Sequence, residues 1–292
     1  MSVLRKGRLG RMAASEPADR PLTEGERWTR EQLEALLAAR FGPRAVAHFL
    51  AESQRRSNRI RRERPELARQ EVAWIGAGAA AWAGLALGGA QPFRRRVRAG
   101  LAWWAAAALM LDWHLGMLES EAGRPQPLGP ADALTLLRVW LVPVALDTPS
   151  PLVCGTAAAS DVLDGIVARA TTGPTRAGRD LEGLADICFA VAALRGALRR
   201  GTIGHATAAS ELVRLGAGFG YALWVYFGRA AAPDPAVVRA ARVTTPLRAG
   251  GLIAAGLGRR RLADGAVLGG SLWSVAAVAR AVRSGRRPRA GS

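Results

Sequence analysis

The chain is expected to be all-α, a polytopic membrane helical bundle with a small soluble helical segment at its N-terminus. Three observations lead there. Half of the 292 residues are apolar, and they are concentrated in several long runs. Some of these runs approach or exceed the roughly 20 residues that a helix needs to cross a bilayer. The charged residues punctuate the runs without forming one stripe. The formal charge of +18, from 41 basic and 23 acidic residues, therefore points to anionic lipid headgroups and away from a nucleic-acid partner. Two cysteines, Cys154 and Cys188, stand alone in apolar runs, with no disulfide framework or zinc-site spacing between them.

Residues 1–70 are polar, Arg-rich and expected to be helical and cytoplasmic. Met12 is an alternative start, and no secretory leader is apparent. Thr23-Glu24-Gly-Glu26 and Thr29-Arg-Glu-Gln read as helix starts, and Gly42-Pro43 as the break before a second helix that ends in a basic, headgroup-facing segment, residues 54–62. Residues 71–119 hold two additional apolar helices, over Val72–Phe93 and Ala99–Leu118. Asp112 and His114 either meet inside the bundle or mark the end of the second span. Residues 120–130, with Pro125, Pro127 and Pro130, read as a linker, residues 131–283 as a six-helix membrane core, and residues 284–292 as a basic tail. Within the core, a first helix covers Ala131–Leu146 and a helical hairpin bends at Gly173-Pro174. A fourth run covers Leu215–Phe227, with Glu211 and Arg214 spaced to pair. Pro233-Asp-Pro235 then precedes a basic stretch, Arg239–Arg248, read as a loop, and two more apolar runs complete the core.

The hairpin carries the chemistry. It reads Asp161-Val-Leu-Asp164-Gly165-Ile-Val-Ala168-Arg169, then eight residues, then Gly178-Arg-Asp-Leu-Glu182-Gly-Leu-Ala-Asp186. Asp161 and Asp164 share one helix face, and Glu182 and Asp186 another. Four carboxylates at a membrane edge repel one another, and a hard divalent cation, Mg2+ or Mn2+, is the usual remedy. Metal beside Arg169 makes a pyrophosphate site, and Gly165 and Gly178 leave room for a nucleotide to approach the backbone.

This stretch resembles the signature of the CDP-alcohol phosphatidyltransferases, D-x2-D-G-x2-A-R-x8/9-G-x3-D-x3-D. Seven of its eight fixed positions match, and Glu182 stands where the family has its third Asp. Upstream, Leu134, Thr135, Arg138 and Pro143 fit the family's N-x-L-T-x-x-R-x-x-x-x-P pattern, with Asp132 in place of the Asn. The resemblance implies transfer of a phosphatidyl group from a CDP-alcohol such as CDP-diacylglycerol to an acceptor hydroxyl, with release of CMP. It implies that Asp161, Asp164, Glu182 and Asp186 hold the metal, with Asp186 also the general base, and that Gly165, Ala168, Arg169 and Gly178 contact the CDP moiety. Arg242, Thr245 and Arg248 lie where many members have a G-K-x-K-T element, and are candidates for a phosphate on the acceptor alcohol. Many members are dimers, so a homodimer is an expected partner alongside the lipid donor, the small alcohol and membrane lipids. Positive-inside counting puts the site on the cytoplasmic face of a cell membrane, expected to be a bacterial inner membrane, although Arg94–Arg98, Arg199-Arg200 and Arg259–Arg261 would then lie outside. The alternatives are a catalytically impaired member, which Glu182 favours, and a divalent-cation transporter. An intramembrane prenyltransferase would need a second Asp-rich motif that the sequence lacks.

Overall fold

In the computed structural model, residues 22–120, 122–171, 175–225 and 233–286 are described. They form ten α-helices: α1 (Glu24–Ala38), α2 (Pro43–Glu63), α3 (Pro65–Leu87), α4 (Val97–Trp113), α5 (Pro130–Asp147), α6 (Pro151–Ala170), α7 (Arg176–Arg199), α8 (His205–Leu223), α9 (Pro235–Gly256) and α10 (Arg260–Arg286). A 3-10 turn, Leu115–Met117, follows α4. Among the described residues there is no strand, so the all-α expectation holds. The bend expected at Gly173-Pro174 and most of the basic tail lie outside the described residues.

The helix starts are chemically explicit. Helices α2, α3, α5, α6 and α9 each begin with Pro, whose missing N–H is no loss in a first turn. Thr23 closes a capping box with Glu26 at the head of α1. Ser150, Thr175 and Asp234 cap α6, α7 and α9 through their side-chain oxygens.

Several boundaries differ from expectation. Thr29 lies inside α1 and starts no second helix. Helix α3 stops at Leu87, short of Phe93, and α8 begins ten residues before Leu215, at His205. The basic stretch Arg239–Arg248 is no loop but the first half of α9, because Asp234 and Pro235 start the helix ahead of it. Asp112 and His114 do not pair. Asp112 takes Arg61 and Gln54 of α2 as partners, whereas His114 caps α4 and contacts the Met110 carbonyl through Nδ1. Residues 118–120 and 122–128 lie against the bundle, with Leu118, Glu119 and Leu128 buried.

Helix α5 is the hub, packed on α6 and α7, while α9 joins α6 to α10 and α10 carries α8. Ala145, Ala157, Ala192 and Ala193 let α5, α6 and α7 approach closely around Phe189. Pro143 interrupts the backbone ladder of α5 and frees the Val139 carbonyl. Trp103 of α4 donates its indole N–H to that oxygen at 2.8 Å, so the accessory helix repairs the core helix. Trp140 likewise donates to the Gly78 carbonyl of α3 at 2.9 Å.

Two helices, α6 and the Arg260–Gly285 part of α10, are long and apolar enough to cross a membrane. Only 22% and 28% of their apolar windows are buried inside the bundle. Leu152, Val162, Ile166, Leu272 and Trp273 face outward.

Candidate active site

The signature residues sit about one and a half turns inside the mouth of the α6–α7 hairpin. Asp164 is six residues from the end of α6 and Glu182 six from the start of α7, which is about 9 Å along each axis. Asp161, Asp164 and Glu182 each offer a carboxylate oxygen, and the three oxygens lie within 4.8 Å of one another. Three anionic oxygens at that spacing fit a hard divalent cation. The additional methylene of Glu182 does not keep it out of the cluster.

Asp186, the fourth acid, is engaged differently. Its Oδ1 lies 2.9 Å from Nε of Arg138, as an ion pair without the alignment of a hydrogen bond. Arg138 is the residue that sequence reasoning missed. It comes from α5, is only 2% exposed, and sits among the acids. Its Nη1 donates to Asp164 Oδ2 at 2.7 Å and lies 3.5 Å from Asp161 Oδ1. Its Nη2 is buried with no acceptor. The available signal was its place in the T-x-x-R pattern of the first core helix, seen as supporting the assignment and not as part of the site. Asp186 is the most open of its partners, with 47% of its side chain exposed.

The remaining predicted residues divide into two groups. On α6, Gly165 and Ala168 are half-buried and Arg169 is exposed, with its Nη1 folded over Gly165, 3.2 Å from where a Cβ would stand. Gly178 is buried, and the space beside it is filled. A Cβ there would overlap Asp132 Oδ1. Asp132 also accepts from the Thr175 hydroxyl at 3.1 Å and from the Gly129 backbone at 2.8 Å, tying the start of α5 to the start of α7.

On α9, Arg242 and Thr245 are exposed and Arg248 is half-buried. Arg248 belongs to a second charged centre that was not anticipated as a unit. Its Nη1 donates to Glu211 Oε1 of α8 at 2.7 Å, and its Nη2 to the Thr245 hydroxyl at 3.0 Å. Arg214 pairs with the same Glu211 oxygen at 2.8 Å, as its i, i+3 spacing predicts. Ser271 of α10 donates to the other oxygen at 2.6 Å. Arg248 and Asp186 are close enough for their charges to interact, so the two centres are neighbours.

Chemically, the arrangement offers a cluster of acids for a cation, a buried guanidinium, an open carboxylate able to take a proton, and a nearby pair of arginines. No curated protein and no solved structure matches the chain. Residues 129–257, from the N-cap of α5 to the C-cap of α9, match the family model described as CDP-alcohol phosphatidyltransferase.

Proposed function

We propose that the protein is an integral membrane enzyme that moves a phosphatidyl or similar substituted phosphate group from a CDP-alcohol, such as CDP-diacylglycerol, to an acceptor hydroxyl and releases CMP. The observation that carries this reading is the centre in which Asp161, Asp164 and Glu182 converge while Arg138 holds Asp186 beside them. Asp161, Asp164 and Glu182 would hold Mg2+ or Mn2+, which supplies neutralisation of charge on the diphosphate when bound. A transport site is disfavoured, because a buried guanidinium in its middle repels the cargo.

The acceptor oxygen bonds to the phosphorus that carries the lipid alcohol. The bond from that phosphorus to the oxygen shared with cytidylate breaks, and CMP leaves with the electron pair. Asp186, open to the mouth, takes the hydroxyl proton. Arg138 holds that carboxylate in place and keeps one buried N–H available for an anionic oxygen. Gly165, Ala168 and Arg169 line the α6 side for the CDP moiety. Gly178 serves the same site by letting α7 close on Asp132. Arg248, supported by Thr245 and with Arg214 beside it, is the place for a phosphate on the acceptor, and Arg242 lies farther out on the same helix.

A multi-pass membrane location is supported by the outward apolar faces of α6 and α10, since the core helix of a soluble protein would be mostly buried. The basic turn after α3, which with Arg199-Arg200 and Arg259–Arg261 counts against a cytoplasmic site, is partly neutralised. Arg95 and Arg96 both pair with the buried Asp147 at the far end of α5.

The test is to incubate the purified full-length protein in detergent with CDP-diacylglycerol, Mg2+ or Mn2+ and a panel of alcohols, following CMP. Metal-dependent release with one acceptor is expected, and Asp186→Asn should abolish it. Undiminished release in Asp186→Asn would remove the base assignment, and no release with any donor or acceptor would refute the activity.

A further inference from the structure

The start of α7 is gripped from outside residues 129–257. Arg176, its first residue, is buried and forms ion pairs with Glu26 of α1 and, at 3.4 Å, with Glu119 of the segment after α4. The Arg176 backbone N–H also donates to the Glu119 carbonyl at 3.0 Å. Glu119 is 5% exposed and accepts from the Thr23 hydroxyl at 2.5 Å, and Thr23 is itself boxed with Glu26. Helix α1 is fixed in turn by α2. Arg56 donates two hydrogen bonds to Glu24, both at 2.6 Å, while its guanidinium lies over the Trp28 ring. One polar chain therefore runs from α2 through α1 to the first residue of α7.

We propose that this chain is a positioning clasp: Glu26 and Glu119, both outside residues 129–257, lock Arg176 and thereby set how far Glu182 stands from Asp161 and Asp164. The inference rests on the reading of those three acids as a metal site. Its physical basis is leverage. Glu182 lies six residues from Arg176 on a continuous helix, so a displacement at the head of α7 is carried to it. Of the contacts that hold the head of α7, Asp132 and Thr175 fix its approach to α5. The clasp is its polar tie to the N-terminal segment, beside the buried apolar cluster that Ala177 and Leu181 share with Leu67, Leu111 and Leu115. A tilt of the first turn would open the 4.8 Å cluster without unfolding the bundle. Arg176, Glu26 and Glu119 touch no reacting atom, so they are positioning residues.

The experiment titrates full-length protein in detergent with Mn2+, following the free ion by its electron paramagnetic resonance signal well below the melting temperature. Wild type should bind and Asp164→Asn should not. Glu26→Gln and Arg176→Met should each weaken Mn2+ binding about tenfold, the lower range for residues that support metal ligands. Arg176→Lys, which keeps the charge, should recover most of that loss, a pattern that a general loss of stability would not produce. If Arg176→Met does not fold, Glu26→Gln, which changes one terminal atom on another helix, decides alone. Wild-type affinity in Glu26→Gln overturns the clasp and leaves the metal site standing. A wild-type protein that takes up no Mn2+ overturns both.

Discussion

Removing Arg138 tests the electrostatic logic of the site more directly than removing any acid. Its guanidinium is buried, with carboxylate oxygens of Asp164, Asp186 and Asp161 at 2.7, 2.9 and 3.5 Å. Arg138→Met keeps length and apolar bulk but leaves these acids and Glu182 to face one another without a counter-charge. Breaking a buried pair by deleting one partner costs about 3–5 kcal/mol. For a chain of this size that lowers the apparent Tm by roughly 10 °C. The assay is tryptophan-fluorescence melting in detergent at a fixed scan rate, with a chelator and then with Mn2+. In chelator the variant should melt well below wild type. With Mn2+ it should recover by more than the wild type gains, because the ion relieves a repulsion that Arg138 otherwise offsets. A ligand at a hundred times its Kd adds about 2.7 kcal/mol, so the recovery is measurable. A variant melting within about 3 °C of wild type in chelator, a difference of about 1 kcal/mol, would refute the placement of Arg138 as counter-ion to the acids.

Three further outcomes are expected. Gly178→Ala forces a methyl group onto Asp132 and should cost about 1–3 kcal/mol by overpacking, whereas Gly183→Ala, five residues along α7 with nothing within 4 Å of the new Cβ, should be neutral or stabilising in the same melting assay. Glu182→Asp, which restores the family's residue inside a cluster that Glu182 already reaches, should release CMP at least as fast as wild type. Glu24 is held below its ordinary value of 4.5 chiefly by the hydrogen bond from Arg56. Its pairing therefore contributes stability above pH 4.5 and loses it as pH falls through the depressed value. Trp28 fluorescence should report that loss, and Glu24→Gln should abolish it.

The elements that were legible in the sequence are those whose signals are local. Thr23 with Glu26 and the Gly42-Pro43 break are read as helix starts, and helices α1 and α2 begin there. The i, i+3 and i, i+4 spacing of the acids placed each pair on one face. Signals that need a distant partner were not legible. The charges of Arg239–Arg248 looked like a loop, because the Glu211 that takes up Arg248 is 37 positions away on another helix. Gly178 looked like space for a nucleotide, but the space is filled by Asp132, 46 positions upstream. Arg138 matched a pattern whose physical purpose appears only when α5, α6 and α7 are assembled. The grip of Glu26 on Arg176, across 150 positions, left no local trace at all.

The charges of the bundle also explain why two ligands of opposite sign suit it. At the first centre four carboxylates face one guanidinium, a local excess of three negative charges if all are ionised. At the second, Arg248 and Arg214 share Glu211, leaving one positive charge. Asp147 between Arg95 and Arg96 leaves the same single positive charge at the far end of α5. The first centre stands out by the size of its excess and by the convergence of three of its acids on one point. A cation at the first and an anion at the second would correct both together. Each centre also contains a buried N–H without an acceptor, Nη2 of Arg138 and Nε of Arg214, as expected where an oxygen-rich substrate completes the hydrogen bonding. On the proposed reading, a diphosphate bound with its metal at the acids and an acceptor phosphate at the arginines would meet these requirements and would bring the attacking hydroxyl between them, towards Asp186.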